Sequence, residues 1–226
     1  MQNRSTMSKR WLRERKNDFY YKKAKRMDYR SRASFKLMQI DDRFNVLPQG
    51  GAVADLGAAP GGWLQVAQER VGPQGKVVGV DLQHIEPLEG VATFRGDITR
   101  PETVDRLKEL LGGKADTIIS DMSPNISGSY SLDHARSVEL CTHALNFARQ
   151  TLKPGGSLVM KIFEGDMMPG FLNEVRKSFS TLKLHSPKAS RASSSEIYIV
   201  ARGFRLAEKE GASSSSAPAD PFDNSY

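Results

Sequence analysis

Asp81, Asp97 and Asp121 each end a short apolar run of this 226-residue chain. In an open sheet of parallel strands, ligands bind beyond the carboxyl ends of the strands. A carboxylate at Asp81 suits hydrogen bonds to both hydroxyls of an adenosine ribose, and Asp97 is placed to accept one from the adenine amino group. We therefore predict that these strand ends form a site for an adenosine-containing ligand.

A glycine-rich turn, DLGAAPGGW at 55–63, follows another apolar run. Its glycines let the backbone approach a ligand closely and present amide groups at the start of a helix. The glycines at 57, 61 and 62, with Pro60 between them, do not form the GxGxxG pattern that binds a dinucleotide pyrophosphate. NAD and S-adenosylmethionine are two cofactors that contain an adenosine ribose, and this turn disfavours NAD.

Lys161 lies inside the apolar run VMKIF at 159–163. A lysine within a buried strand costs free energy unless it is paired or neutral. We therefore assign a functional role to Lys161.

Positive charge is concentrated at the N-terminus. Residues 1–50 contain 14 Lys+Arg against 5 Asp+Glu, a net charge of +9, whereas the whole chain carries +7. Tyrosines and other aromatic residues are interleaved with these basic residues. Basic side chains attract a phosphate backbone and aromatic rings stack on bases, so this segment predicts RNA binding more strongly than membrane binding.

The composition also excludes several classes of protein. No apolar run is long enough to span a membrane, and the first residues lack the apolar stretch of a secretory signal. Cys141 is the single cysteine, and the four histidines have no zinc-ligand spacing, so we predict no metal site. We expect a soluble, cytoplasmic monomer.

Apolar runs alternate with helical patterns along the chain. The predicted strands are 52–56, 76–82, 91–97, 115–121, 157–163, 181–186 and 196–204, and the predicted helices are 9–27, 31–44, 63–71, 101–111, 133–152 and 168–179. Ser31 is the predicted N-cap of the second helix. The alternation predicts an α/β fold: a mostly parallel sheet with an antiparallel last strand and helices on both faces.

Four regions are predicted. Residues 1–8 should be disordered, and 9–50 should form a basic helical extension that belongs to the same domain as the core at 51–204. Residues 205–226 should form a disordered, acidic, Ser-rich tail.

Five blocks of sequence resemble a known family in the same order. They are SRASFKL (31–37), DLGAAPGGW (55–63), SDMSPN (120–125), MKIFEG (160–165) and SRASSSEIYIVA (190–201). Together they resemble the FtsJ-like ribosomal RNA large-subunit methyltransferase E family, over about residues 9 to 203. The resemblance implies a Rossmann-like, S-adenosylmethionine-dependent methyltransferase that modifies a ribose 2′-hydroxyl of RNA.

The resemblance also implies two sets of site residues. The family's catalytic tetrad corresponds to Lys36, Asp121, Lys161 and Glu196, and its cofactor site corresponds to Gly61, Trp63, Asp81, Asp97 and Asp121. Lys161 is then the candidate base that takes the hydroxyl proton as a neutral amine; equally, it can orient the hydroxyl lone pair. Lys36 can hold substrate, and Glu196 can position either lysine.

The implied substrate is a uridine in the A-loop of 23S rRNA, within the assembled large ribosomal subunit, with Arg32, Phe35, Arg191 and Tyr198 as RNA contacts. No aromatic residue follows Asp121 in the DMSPN segment, which argues against a base as the methyl acceptor. A tRNA anticodon-loop or mRNA-cap ribose methyltransferase is the alternative within this class. An NAD-dependent oxidoreductase and a non-catalytic RNA-binding ribosome-assembly protein are the alternatives from other classes.

Overall fold

The computed structural model describes residues 19–191 and 195–206. Its helices are α1 (Phe19–Arg26), α2 (Ser34–Phe44), α3 (Gly62–Val71), α4 (Pro101–Leu111), α5 (Tyr130–Thr151) and α6 (Met168–Ser178). Its strands are β1 (Ala52–Leu56), β2 (Lys76–Asp81), β3 (Val91–Arg95), β4 (Ala115–Ser120), β5 (Leu152–Phe163), β6 (Phe179–His185) and β7 (Glu196–Phe204).

The seven strands form one sheet in the order β3-β2-β1-β4-β5-β7-β6. β7 runs antiparallel to both of its neighbours, and the other four pairings are parallel. The predicted mostly parallel sheet with an antiparallel last strand is therefore confirmed.

Helices cover both faces of this sheet. On one face α4, α5 and α6 bury side chains such as Leu107, Leu145 and Val175. On the other face α2 and α3 bury Ile40 and Leu64. Burial of each such side chain contributes roughly 1.5–3 kcal/mol, so α2 is held to the sheet by the same core that holds α3.

Local sequence signals explain where α4 begins and ends. Pro101 occupies its first turn, where a missing N–H costs no hydrogen bond. Gly112 follows the helix with a φ of 66°, a left-handed conformation that glycine adopts without strain.

The start of α2 differs from the prediction. The helix begins at Ser34, and its N-cap is Ala33, with no capping side chain, so the prediction of Ser31 as the N-cap is wrong. The turn is fixed by α3 instead: the Ser34 hydroxyl donates to the Gly62 carbonyl over 3.0 Å, and the Trp63 indole N–H donates to the Ala33 carbonyl over 2.8 Å.

β5 begins earlier than predicted, at Leu152. Ala115 pairs with Leu152 and Thr117 pairs with Ser157, so the residues at 153–156 bulge out of the ladder between these two pairs. Residues 153–156, which separate the predicted helix 133–152 from the predicted strand 157–163, are therefore an irregularity inside β5.

Some predictions fall on residues outside the described part. These are the disordered N-terminus at 1–8, the first half of the helix at 9–27 and the tail from 207 onward. At the end of the described part, the Arg205 backbone N–H donates to the Ser178 carbonyl over 2.9 Å. None of the described helices is both long and apolar enough to cross a membrane.

Candidate active site

Lys161 and Asp121 meet at the carboxyl ends of the neighbouring strands β4 and β5. The Lys161 Nζ lies 3.1 Å from Asp121 Oδ1 and donates a hydrogen bond to the Asp121 backbone carbonyl over 2.8 Å. Lys161 is buried. The cost of burying this cation is therefore offset by a carboxylate and a carbonyl of one residue.

The antiparallel strand β7 brings Glu196 to the same place. In its register with β5, Tyr198 lies opposite Lys161 and Glu196 lies opposite Phe163. Lys36, which α2 presents from the same face of the sheet, forms a short ion pair with Glu196. The structure thus brings the four predicted tetrad residues together as two ion pairs.

Tyr198 links the two ion pairs. Its hydroxyl donates to Asp121 Oδ1 over 2.7 Å, and the Lys36 Nζ lies 5.6 Å from the centre of its ring. Burial first, then the charges of Asp121 and Glu196, raise the pKa of Tyr198 well above its usual range. Tyr198 therefore stays a neutral donor that fixes the Asp121 carboxylate.

Two predicted RNA contacts are wrong because their side chains are buried. Tyr198 is 0% exposed, and Phe35 packs between the rings of Tyr20 and Tyr29. Arg32 and Arg191 remain accessible. Burial, then the neighbouring Arg191, lowers the pKa of Arg32, while Glu196 acts in the opposite sense. Two guanidinium groups close together favour an anion such as a phosphate beside the ion pairs.

A cleft of about 280 Å³ adjoins the Lys161–Asp121 ion pair at the carboxyl edge of the sheet. Asp81, Asp97 and Asp121 all line it, together with Gly57, Ala59, Val80, Leu82, Gln83, Gly96, Ile98, Met122, Ser123, Asn125 and Leu140. Three of the predicted cofactor residues are therefore brought together. Asp121 is shared by the cleft and by the Lys161 ion pair.

Gly61 and Trp63, the other two predicted cofactor residues, are not among the side chains that line this cleft. Trp63 is buried, and its indole N–H is bonded to the Ala33 carbonyl. Gly61 precedes α3 with a φ of 107°, and a Cβ there would lie 2.6 Å from the Arg30 guanidinium. Their assignment to the cofactor stays a prediction, and in the structure they form the start of α3.

The carboxylates of the cleft are positioned by backbone amides. The two Asp81 oxygens accept from the Ala59 N–H over 2.9 Å and the Gln83 N–H over 2.8 Å. Asp97 accepts from the amide and the hydroxyl of Thr99, and these bonds lower the pKa of Asp97. Both groups are therefore fixed acceptors.

Asp55 is a fourth carboxyl group at this edge, and the sequence analysis did not identify it as a site residue. It is completely buried, and neither of its oxygens has a hydrogen-bond partner among the described residues. Burial, then the nearby Asp121 and Asp81, raise the pKa of Asp55 well above its usual range.

These features fit S-adenosylmethionine, which carries an adenosine and a sulfonium cation. Asp81 and Asp97 are acceptors suited to the ribose hydroxyls and the adenine amino group. Negative groups at Asp81 and Asp121 favour a cation between them. Gly57, which lines the cleft, allows Met122 to pack against it, because a Cβ there would lie 2.5 Å from Met122 Cγ. Among residues 19–191 and 195–206, no cluster of three His, Cys, Asp or Glu side chains is suited to a metal ion.

Comparisons with known proteins agree with this geometry. A family model described as FtsJ-like methyltransferase matches residues 29–204. The ribosomal RNA large subunit methyltransferase E of Methanothrix thermoacetophila is 52% identical over 185 residues, which are 82% of this chain and 72% of that protein. The protein of the same name from Methanocaldococcus jannaschii is 49% identical over 201 residues, 87% of this chain and 82% of that protein.

Solved structures share the fold. A Plasmodium falciparum crystal structure described as a ribosomal RNA methyltransferase superposes with a TM-score of 0.71 at 29% identity, over 78% of this chain and 98% of that chain. The methyltransferase MycE, solved in complex with Mg and SAH, superposes with a TM-score of 0.52 at 18% identity, over 83% of this chain and 50% of that chain. The second likeness concerns the fold alone.

Proposed function

The chain belongs to the FtsJ-like methyltransferase family, and on that premise we propose that it transfers a methyl group from S-adenosylmethionine to a ribose 2′-hydroxyl of RNA. One observation carries the proposal. Asp121 lines the cofactor cleft and also pairs with Lys161 at 3.1 Å. A hydroxyl bound at Lys161 therefore lies beside the mouth of the cleft, as transfer between two bound groups requires.

The cofactor supplies a methyl group already activated by the sulfonium to which it is bound. The chain's own contribution is to hold and orient. Asp81 would accept from the ribose hydroxyls and Asp97 from the adenine amino group. Asp121 would contribute negative charge near the sulfonium. The glycine turn at 57–62 would let the ligand approach the backbone closely.

Lys161 is suited to take the hydroxyl proton. A neutral amine has two N–H bonds and one lone pair. Among the described residues, Lys161 has two acceptors for its N–H bonds, the Asp121 carbonyl and Asp121 Oδ1. The third position on Nζ is left for the substrate, where a lone pair accepts the proton from the 2′-hydroxyl.

The remaining tetrad residues form the second ion pair, and Tyr198 holds Asp121 in place. Glu196 neutralises Lys36, and Tyr198 donates to the same Asp121 oxygen that pairs with Lys161. We propose that Lys36 and Glu196 also contact the substrate ribose or phosphate, since both lie next to Arg32.

The RNA target rests on the relatives. Proteins about 50% identical to this chain are named ribosomal RNA large subunit methyltransferase E. We propose that the substrate is a uridine in the A-loop of 23S rRNA, modified within the assembled large subunit. Primer extension across the A-loop of subunits from cells lacking the protein tests the position. A restored 2′-O-methyl stop on addition of the enzyme supports the proposal, and methylation elsewhere contradicts it.

Replacing Asp81 tests the cofactor site. Asp81→Ala should weaken S-adenosylmethionine binding by roughly 1.5–3 kcal/mol, the scale of hydrogen bonds to a charged group. Isothermal titration measures this directly. Asp116→Ala is the matched control, because Asp116 also accepts a backbone N–H, from Ala52, but lies at the opposite edge of the sheet. Unchanged affinity in folded Asp81→Ala would remove Asp81 from the site.

Salt dependence tests the basic extension. α1 carries Lys22, Lys23, Lys25 and Arg26, and Lys23 lies over the Phe35 ring. Reversing these four charges should flatten the slope of log K against log salt for RNA, by up to about 0.9 for each lost phosphate contact on a duplex or 0.7 on a single strand. Cofactor affinity should not change.

The control for this experiment reverses four basic residues on the opposite side of the sheet, Lys108, Lys114, Arg176 and Lys177. These changes match the first set in net charge. If both sets change the slope equally, α1 is only a solvated basic face and does not bind the RNA backbone.

A further inference from the structure

Large apolar side chains are exposed next to the proposed reaction centre. Ile126 lies in the segment after β4, Tyr130 begins α5 and Met167 lies in the segment after β5. They are 65%, 61% and 53% exposed. Their segments follow the strands that carry Asp121 and Lys161. Exposed apolar side chains grouped beside a site mark a surface that contacts a ligand.

The Tyr130 ring is held in one orientation. Its hydroxyl donates to the Glu164 carbonyl over 2.6 Å, and Glu164 is three residues beyond Lys161. The hydroxyl is thus satisfied by the protein while the ring remains open to solvent. A ring fixed in this way loses little side-chain entropy when a flat group stacks on it.

The two neighbouring segments are fixed as well. Asp133 accepts from the amide and the hydroxyl of Ser127, each over 2.8 Å, and from the Gly128 amide over 3.2 Å. These bonds fold the segment that carries Ile126 onto the start of α5.

His134 fixes the other segment. Its Nε2 accepts from the Met167 backbone N–H over 3.0 Å, and its Nδ1–H donates to the Phe163 carbonyl over 2.9 Å. Tyr130 and His134 are four residues apart on α5, so they lie on the same face of the helix. The apolar surface is therefore preorganised on two sides.

We propose that Tyr130, flanked by Ile126 and Met167, forms a ledge on which an unpaired nucleobase of the RNA substrate stacks while a ribose lies at Lys161. This assignment deepens the proposed function and rests on it. Each nucleotide joins a flat apolar base to a charged backbone. The surface around Lys161 has the matching arrangement: Arg32 and Arg191 attract phosphate, and the ledge offers an aromatic face.

A nucleobase fits the ledge better than a protein partner. Three side chains present far less than the roughly 800 Å² per partner that a stable protein interface buries. One aromatic face matches one base. Stacking of this kind tolerates different bases, because every base has a π-face.

The test is a double-mutant cycle that combines a change in the protein with a change in the RNA. The probe is a stem-loop RNA with the A-loop sequence, together with copies that carry a single abasic site at the target nucleotide or at each neighbour. Binding is measured at low salt with S-adenosylhomocysteine present, so that no turnover occurs. Tyr130→Ala should weaken binding of the intact RNA by about 5- to 150-fold, the range for one stacked base.

The abasic RNA that lacks the stacked base should respond differently to Tyr130→Ala than the other RNAs do. At the stacked position the base is already missing, so Tyr130→Ala should cause no further loss there. Tyr130→Phe should bind within about twofold of the native protein, because the ring remains. Tyr130→Leu keeps apolar bulk without a flat ring and should lose most of the affinity. Leu184→Ala, at an exposed apolar side chain of β6, is the matched control and should bind normally.

Three outcomes overturn the ledge: no detectable binding of the stem-loop, native affinity in Tyr130→Ala, or an equal loss on every abasic RNA. Failure of the proposed function is seen separately, in the native protein. If native protein methylates a base or nothing at all, the 2′-O-transfer proposal fails, and the binding cycle still reports whether Tyr130 stacks a base.

Discussion

Lys161→Ala should lower the single-turnover rate of methyl transfer by about 10²–10⁴-fold, the usual contribution of a positioned base. The variant should bind cofactor and RNA almost normally, because among the described residues the Lys161 Nζ pairs with Asp121 alone. Lys153→Ala is the matched control. Lys153 forms a comparable pair with Asp116, 2.7 Å long, away from the cleft, and its loss should leave the rate unchanged.

The pH dependence of this rate separates the two roles of Lys161. If Lys161 accepts the proton, the native rate should rise with pH and level off once the amine is mostly neutral, and Lys161→Ala should lose that rise. If Lys161 only orients the hydroxyl, the variant should be slower but keep the pH dependence.

Lys36→Ala should move the rise in rate to higher pH, with a smaller loss of rate than Lys161→Ala. Removal of the Lys36 cation, which pairs with Glu196, favours a charged Lys161. Near-native turnover of Lys161→Ala on the assembled subunit would contradict both roles and the tetrad assignment with them.

Asp55→Asn should stabilise the ligand-free protein at pH 7. Asp55 is completely buried, neither of its oxygens has a hydrogen-bond partner among residues 19–191 and 195–206, and burial, Asp121 and Asp81 raise its pKa well above the usual 3.8. The folded protein therefore keeps a proton that the unfolded chain releases near pH 4. Stability falls as pH rises from that point to the folded-state pKa, by up to about 1.4 kcal/mol per pH unit. The amide has the shape of the neutral carboxyl group but does not titrate.

Chemical denaturation between pH 4 and 8 measures this effect. The variant and the native protein should have similar stability near pH 4 and diverge as pH rises. Asp41→Asn is the contrasting variant and should lower stability, because the Asp41 carboxylate accepts from the amides of Val46 and Leu47, both over 2.9 Å. A stability difference for Asp55→Asn that does not depend on pH would mean that Asp55 is ionised in the folded protein.

Much of the fold was predictable because local signals and the overall fold agree. The bounds of β1, α4 and β7 match the predicted 52–56, 101–111 and 196–204. Each of these elements is a continuous apolar or amphipathic run bounded by turn residues. β5 was mispredicted at its start, since a bulge next to β4 lets the strand continue through glycines that normally end one.

The parallel topology also made part of the site predictable. Parallel strands place their carboxyl ends at one edge, so Asp81, Asp97 and Asp121 were expected to lie together, and all three line the cleft. The assignment of Gly61 and Trp63 to the cofactor came from resemblance, and neither residue lines the cleft.

The role of Tyr198 depends on strand register, which the sequence does not specify. Its place opposite Lys161 follows from how β7 pairs with β5. A partial signal was present: Glu196 and Tyr198 are two residues apart on a strand and so share a face. Asp55 had the same signal as Lys161, since each is a charged residue inside an apolar run. Only the structure shows that, within its described part, the Asp55 carboxyl group has no hydrogen-bond partner.

The most direct test of ribose methylation directed by Lys161 is to identify the methylated atom. Large subunits from cells lacking this protein are incubated with the enzyme and S-adenosylmethionine labelled in its methyl group. The rRNA is then digested to nucleosides and analysed by mass spectrometry. We predict label in 2′-O-methyluridine, whose neighbouring phosphodiester bond resists alkaline hydrolysis, and labelling that is about 10²–10⁴-fold slower with Lys161→Ala. Label on a base, or equal labelling by Lys161→Ala, would contradict ribose methylation directed by Lys161.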